Sequence, residues 1–162
     1  MKILRMQPWH LVSVAMRLRA ADLAQLQAFF SGPDQDPQIW ACNTVLRSPV
    51  AYAISADDGM PIACIGATSD GDVADIWFAA TDALTHSTRA QIMAKRIVEF
   101  IVDQCGYVMV TTRCLKSNPY SARTLDHLGF ERCGTHPNFG GDGSDLLFFA
   151  KEGGKCASHI VM

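Results

Sequence analysis

Apolar residues recur at two different periods along this chain, and the switches between them mark its elements. Residues 2–6 alternate and predict a first strand, stopped by Pro8. From Trp9 to Phe30 the spacing turns helical. Leu11, Val14, Ala15, Leu18 and Ala21, then Leu26, Phe29 and Phe30, recur every three or four residues, with Arg17, Arg19, Asp22 and Gln25 facing outward. This predicts one helix of about five turns with a kink. Ser31 to Pro37 is a loop by composition, and a second helix runs from Gln38 to Arg47, ended by Ser48-Pro49.

Beyond Pro49 the period falls to two. Ala51–Ser55 and Pro61–Ala67 flank Asp57-Asp58-Gly59, a turn signal for an antiparallel hairpin. Gly66 inside the second run marks a bulge or a close backbone approach. A turn at Ser69–Asp72 leads into a third strand, Val73–Ala80. Thr85–Thr88 then opens the longest helix, with Met93, Ile97, Phe100 and Ile101 as its apolar stripe and Cys105-Gly106 at its end. Tyr107–Leu115 is rich in β-branched residues and predicts a strand.

The stretch Asn118–Phe130 predicts a short helix with both ends marked. Asn118 caps it, Pro119 takes the first position, Ala122, Leu125 and Leu128 share a face, and Gly129 is the left-handed stop. Strands at Glu131–Thr135 and Leu146–Ala150 follow, around a Gly-rich loop at His136–Ser144. The predicted order is β-αα-βββ-α-β-α-ββ, an α+β fold with one domain over 1–152 and a mobile tail over 153–162.

Composition narrows the class. Of 162 residues, 49% are hydrophobic and 19% charged, the balance of a compact globular chain. The net charge of −2, with no basic block, gives no electrostatic footprint for nucleic acid. Six cysteines are spread without a Cys-x-x-Cys, which signals neither a zinc site nor a disulfide frame. Four of them lie in apolar or strand-like runs and are expected to be small buried hydrophobes in a reducing compartment. The five histidines show no metal-ligand spacing. No run is apolar enough to span a membrane and no signal segment is apparent, so a cytoplasmic location is expected.

Asn118, Ser121, Leu128, Gly129 and Phe130 stand at the spacing of the last conserved helix of the GNAT superfamily of N-acetyltransferases, and the predicted element order resembles that fold over nearly the whole chain. The resemblance implies a mixed, mostly antiparallel sheet in which strand 73–80 and strand 107–115 pair in parallel and splay, with acetyl-CoA in the gap. It implies a pyrophosphate at the start of the helix between them, by the helix-dipole argument, with Arg89, Ala90 and Asn118 as cofactor contacts. Two departures stand out. Arg89 and Ala94 match the family's phosphate loop, but Ile92 stands where a glycine belongs, and Leu125 stands where the general-acid tyrosine belongs.

Ala15-Met16-Arg17, Ala20-Ala21-Asp22, Asp58-Gly59-Met60-Pro61, Trp77 and Ala80-Thr81-Asp82-Ala83-Leu84 resemble a subgroup, the acetyltransferase-like proteins of short-tailed bacteriophages. Some of those are internal virion proteins. The subgroup shares both departures, and it implies the cytoplasm of an infected bacterium or the virion as location. If the chain is active, its partner is an amine-bearing small molecule or protein; if not, other virion proteins.

Amide formation needs a base, oxyanion donors and an acid for the thiolate. Asp75, within the third sheet strand, and Asp82, just past it, are the candidate bases; each also reads as an ordinary strand or turn residue. Backbone N–H groups near Phe78, Ala79 and Ala80 are candidate donors and cofactor contacts. Tyr120 is the phenol nearest Leu125 and the candidate acid, or a simple packing residue. Arg89 reads more readily as an ordinary solvent-facing charge than as a phosphate contact.

Overall fold

Alternating side chains from residue 50 onward close into one sheet. The computed structural model of the protein describes residues 1–153. Its strands are β1 (Lys2–Arg5), β2 (Val50–Ser55), β3 (Pro61–Asp70), β4 (Val73–Ala80), β5 (Met109–Leu115), β6 (Glu131–His136) and β7 (Leu146–Glu152). They lie in the order β1-β2-β3-β4-β5-β7-β6. β4 and β5 run parallel, and the other neighbouring pairs are antiparallel. The helices are α1 (Pro8–Ala15), α2 (Ala20–Phe29), α3 (Pro37–Arg47), α4 (Asp82–Thr85), α5 (Thr88–Gln104) and α6 (Ser121–His127), with a 3-10 turn at Gly32–Gln35.

Each face of the sheet carries its own apolar cluster. α5 and α6 cover one face through Ile97, Ile101 and Leu125 against Ile65, Ile76 and Val110. α1, α2 and α3 cover the other through Leu11, Val14, Leu26 and Trp40 against Cys64 and Ala79. The period-2 pattern of the strands thus feeds two cores at once.

The helix expected over Trp9–Phe30 is two helices. Met16 and Arg17 donate back to Val12 and Val14 and close α1, and Arg19 then adopts an extended conformation (φ −56°, ψ 145°) ahead of α2. Its N–H leaves the helical ladder and donates to Ala80 O at 3.1 Å. A tertiary hydrogen bond breaks a helix whose apolar spacing continues on both sides.

Two smaller corrections concern helix starts. Thr85, expected to open the long helix, instead ends α4; α5 begins at Thr88, with Ser87 Oγ accepting from Ala90 N at 3.2 Å. Gln91 Nε2 bonds the carbonyls of Leu84 and Thr85 and so seals the end of α4. Asn118 does cap α6, its Oδ1 accepting from Tyr120 N and Ser121 N, but Pro119 and Tyr120 form a turn before the first helical residue. At the other end Phe130 N donates to Leu125 O and Gly129 N to Asp126 O, with Gly129 at φ +78°, a Schellman stop.

Gly66 marks a close approach: a Cβ there would lie 2.4 Å from Trp77 Cζ2 and 2.8 Å from Ala51 Cβ. The cysteine expectation holds for Cys64 and Cys114, which are buried; Cys42 and Cys133 are exposed and Cys105 is intermediate. Burial pushes the Cys64 thiol up to about 12, so it is an inert core group. Of the tail expected to be mobile, Gly153 donates to Val108 O at 2.9 Å, and residues 154–162 lie outside the described residues.

Candidate functional site

The parallel ladder between β4 and β5 is short. Val73–Asp75 pair with Met109–Thr111, and beyond that point the strands part. Residues 76–80 and 112–115 therefore border a gap in the middle of the sheet. Its backbone can be assigned from register. Thr81 N–H donates to Ile62 O and Ala63 stands opposite Ala80, so the peptide groups of Ala79 turn toward β3 while those of Ile76, Phe78 and Ala80 turn toward β5.

The chain itself satisfies part of that edge. Thr112 Oγ1 donates to Ile76 O at 2.9 Å, Arg19 N–H takes Ala80 O, and Gln25 Oε1 accepts from Leu115 N at 2.9 Å. Both polar groups of Phe78 and the N–H of Ala80 face the gap with no ladder partner across it. Unpaired strand-edge groups beside a cavity are ready contacts for an extended ligand.

A cavity of about 160 Å³ lies at the gap and is lined by residues from both faces of the sheet. On the α5/α6 face its wall is Phe78, Ala80, Ala94, Thr112, Ser121 and Leu125. On the opposite face Asp75 and Trp77 form the floor, with Leu26, Phe29, Phe30 and Trp40 above them. The two walls follow from alternation along β4, which points Asp75 and Trp77 to one side and Ile76 and Phe78 to the other.

Asp75 is the acidic floor residue, with Arg113 as its charged neighbour. Burial pushes its carboxyl above the ordinary range, while the Arg113 charge and a hydrogen bond from Thr111 Oγ1 to Oδ1 (3.2 Å) pull it back down. Trp77 is fixed from both sides, by Nε1 donating to Ser48 Oγ at 2.8 Å and by an edge-on contact with Trp40.

A polar latch closes the α2 side of the gap. Arg19 Nε meets Asp22 Oδ2 at 2.6 Å, and both side chains are nearly buried, at 10% and 12% exposure. Arg19 also donates to Thr85 Oγ1 at 3.2 Å, and its guanidinium stacks on the Tyr120 ring at 4.5 Å. Asp22 Oδ1 accepts from Asn118 Nδ2 at 2.9 Å, which reaches Gln25 Oε1 at 3.3 Å. α2 buries only Leu26 fully, so these bonds supply much of its attachment to the rest of the fold.

The structure gathers some of the sequence candidates here and leaves others outside. Asp75, Phe78, Ala79 and Ala80 line the cavity, though the peptide N–H of Ala79 faces β3. Asp82 is exposed at the start of α4, away from the lining. Tyr120 is half-buried under Arg19 and its side chain does not line the cavity. Arg89 is exposed at the start of α5, with Nη2 3.4 Å from Met1 O. The N–H of Ala90 is already taken by Ser87 Oγ. Asn118 is buried, and both ends of its amide are used within the protein.

Arg19, Asp22, Gln25 and Arg113 border the site although their positions in the pattern read as outward faces of a helix and a strand. The signal that marks the first three is a row of polar residues at i, i+3 and i+6, which reads as solvated until a second element packs on it.

No protein-family model and no curated protein sequence matches the chain. Solved structures do. The ribosomal-protein-S18-alanine N-acetyltransferase of Escherichia coli superimposes with a TM-score of 0.73 at 14% identity, over 99% of both chains. A GNAT-family acetyltransferase of Bacillus anthracis gives 0.68 at 12% identity, over 93% of both chains. A spermidine N-acetyltransferase of Vibrio cholerae gives 0.68 at 10% identity, over 94% of this chain and 95% of its own. The chain has the fold of GNAT-family acetyltransferases, with the single parallel strand pair and its gap.

Proposed function

We propose that this protein transfers an acetyl group from acetyl-CoA to an amine, and that the chemistry takes place in the gap between β4 and β5. The observation that carries the reading is the pair of ladder-free N–H groups, Phe78 and Ala80, beside a partly buried carboxylate, Asp75, in one cavity. Acetyl-CoA supplies an activated thioester. Transfer forms a C–N bond and breaks the C–S bond; one amine proton goes to a base and a second ends on the thiol. Asp75 is placed to accept the first, and burial raises its proton affinity in the direction a base needs. The N–H of Phe78 or Ala80 donates to the carbonyl oxygen as charge grows on it.

The residues fit the two ends of acetyl-CoA unequally. The gap offers an extended acyl arm a free strand edge. At the start of α5, however, Ser87 occupies the Ala90 N–H, and Ile92 stands half-exposed in place of a small residue. A diphosphate there relies on the amides of Thr88 and Arg89 and on the Arg89 guanidinium. Calorimetric titration with acetyl-CoA tests the reading. Micromolar binding, roughly 8 kcal/mol, supports it, and no heat at millimolar ligand overturns it. Asp75→Asn should lower turnover while leaving acetyl-CoA affinity unchanged.

A second reading keeps the fold without the chemistry, as a bacteriophage virion component or host-interaction module. It is favoured by Leu125, 3% exposed where an acid would stand, and by the internal use of Asn118. On this reading the protein belongs in purified particles, where mass spectrometry would detect it, and it binds no acetyl-CoA. The bacteriophage assignment rests on the sequence segments around Asp22, Met60 and Leu84.

A further inference from the structure

The wall of the cavity on the α2/α3 face points to a particular kind of acceptor. We infer that the amine is small and primary with a compact apolar body, of the arylalkylamine type, seated over Trp77 with its ammonium at Asp75. This rests on the acetyl-transfer reading and narrows it to a substrate class.

Four aromatic side chains, Phe29, Phe30, Trp40 and Trp77, dominate that wall together with Leu26. Charge is scarce by comparison. Arg19 and Asp22 neutralise each other at 2.6 Å, and Asp75 is the carboxylate left on the floor, with the Arg113 guanidinium beside it in the lining. Its Oδ1 is held by Thr111, which leaves Oδ2 for the incoming nitrogen. Aromatic faces attract a cation, and Arg113 already lies over the Phe29 ring at 5.3 Å. An ammonium at Asp75 is thus favoured twice, by the aromatic wall and by an opposite charge.

The chemistry of the wall disfavours more polar and more highly charged acceptors. An amino sugar would bring several hydroxyls to a wall that offers them few partners. A polyamine would bring further cations where only one carboxylate waits. A compact aryl body with one ammonium brings neither.

The test separates the amine from the acyl donor. Titrate the protein alone, following the tryptophan fluorescence of Trp40 and Trp77, with 2-phenylethylamine, spermidine and glucosamine. The expected result is binding of phenylethylamine at least about tenfold tighter than either of the others. Phe29→Leu, which keeps apolar bulk without a ring, and Asp75→Asn should each weaken it by about tenfold, with circular dichroism confirming that both variants fold. Equal or tighter binding of spermidine or glucosamine, or no phenylethylamine binding at millimolar concentration, overturns the inference. Thiol release from acetyl-CoA is then measured with the same amines. Turnover fastest with spermidine or glucosamine overturns the substrate class but leaves acetyl transfer standing. Preferential phenylethylamine binding with no thiol release from any amine overturns acetyl transfer and leaves an arylalkylamine-binding site.

Discussion

Asp22→Asn is the sharpest test of the latch that holds α2 over the gap. Asp22 uses both oxygens, Oδ2 toward Arg19 Nε at 2.6 Å and Oδ1 toward Asn118 Nδ2 at 2.9 Å. An asparagine has one oxygen, so its own NH₂ must face either the guanidinium or the Asn118 amide, donor against donor. The substitution also leaves Arg19 charged and nearly buried. Breaking a buried pair by removing one partner costs about 3–5 kcal/mol. The two side chains keep 10% and 12% exposure, so we expect a cost shifted below that range, about 2–4 kcal/mol. With a urea m-value of roughly 2 kcal/mol/M, the midpoint should fall by about 1–2 M. The double variant Arg19→Met with Asp22→Leu removes both charges and should recover more than half of the loss, since Asn118 Nδ2 keeps Gln25. Urea unfolding followed by circular dichroism measures both. A midpoint shift below about 0.3 M for Asp22→Asn at unchanged m, or a double variant losing the full sum of the single losses, would refute the reasoning.

Three further outcomes follow from other contacts. Gly66→Ala drives a methyl to 2.4 Å from the Trp77 ring, so it should cost about 1–3 kcal/mol; an unchanged melting temperature would show that Trp77 moves freely. His10 Nδ1 accepts from Gln7 N at 2.8 Å, and burial holds the imidazole below its ordinary value. The unfolded chain therefore takes up the proton more readily, and the stability His10 contributes is complete above the ordinary imidazole range and is lost as pH falls through the lowered native value. His10→Gln keeps an acceptor that does not titrate, so its denaturation midpoint should fall less than that of the wild type over the same range; parallel curves would exclude His10 as the source. Arg89→Ala should weaken acetyl-CoA by roughly ten- to hundredfold, the loss of one charge-assisted bond. Its melting temperature should hold, because a cation at the positive end of the α5 dipole gains nothing there; equal affinity in the two proteins would remove Arg89 from the site.

Local chemistry along the chain was enough to place most elements. The Asp-Gly turn between β2 and β3, the Gly129 stop of α6 and the β-branched run of β5 each report a nearest-neighbour constraint, and the backbone obeys them. Gly66 announced a close approach, because only the absence of a side chain admits another group so near. The gap between β4 and β5 was expected from the resemblance alone, since spacing and period do not say which strands pair or where a ladder ends.

What tertiary structure decided lies where two distant segments share one hydrogen bond. The break between α1 and α2 is invisible in the apolar spacing, which stays helical through Arg19; it arises because Ala80, 61 residues later, offers a carbonyl at the end of β4. Asn118 was legible as a cap through its oxygen, but its nitrogen is committed to Asp22 and Gln25 on α2, and nothing near it in sequence shows that. Asp75 and Asp82 look alike as acidic residues around the end of one strand. Only the fold puts the first, partly buried, beside the gap and leaves the second in water. Sequence thus determined what each segment can do alone, through steric and capping rules that act over a few residues. The partners of its polar side chains, and with them the site, were decided by which surfaces the fold brings together.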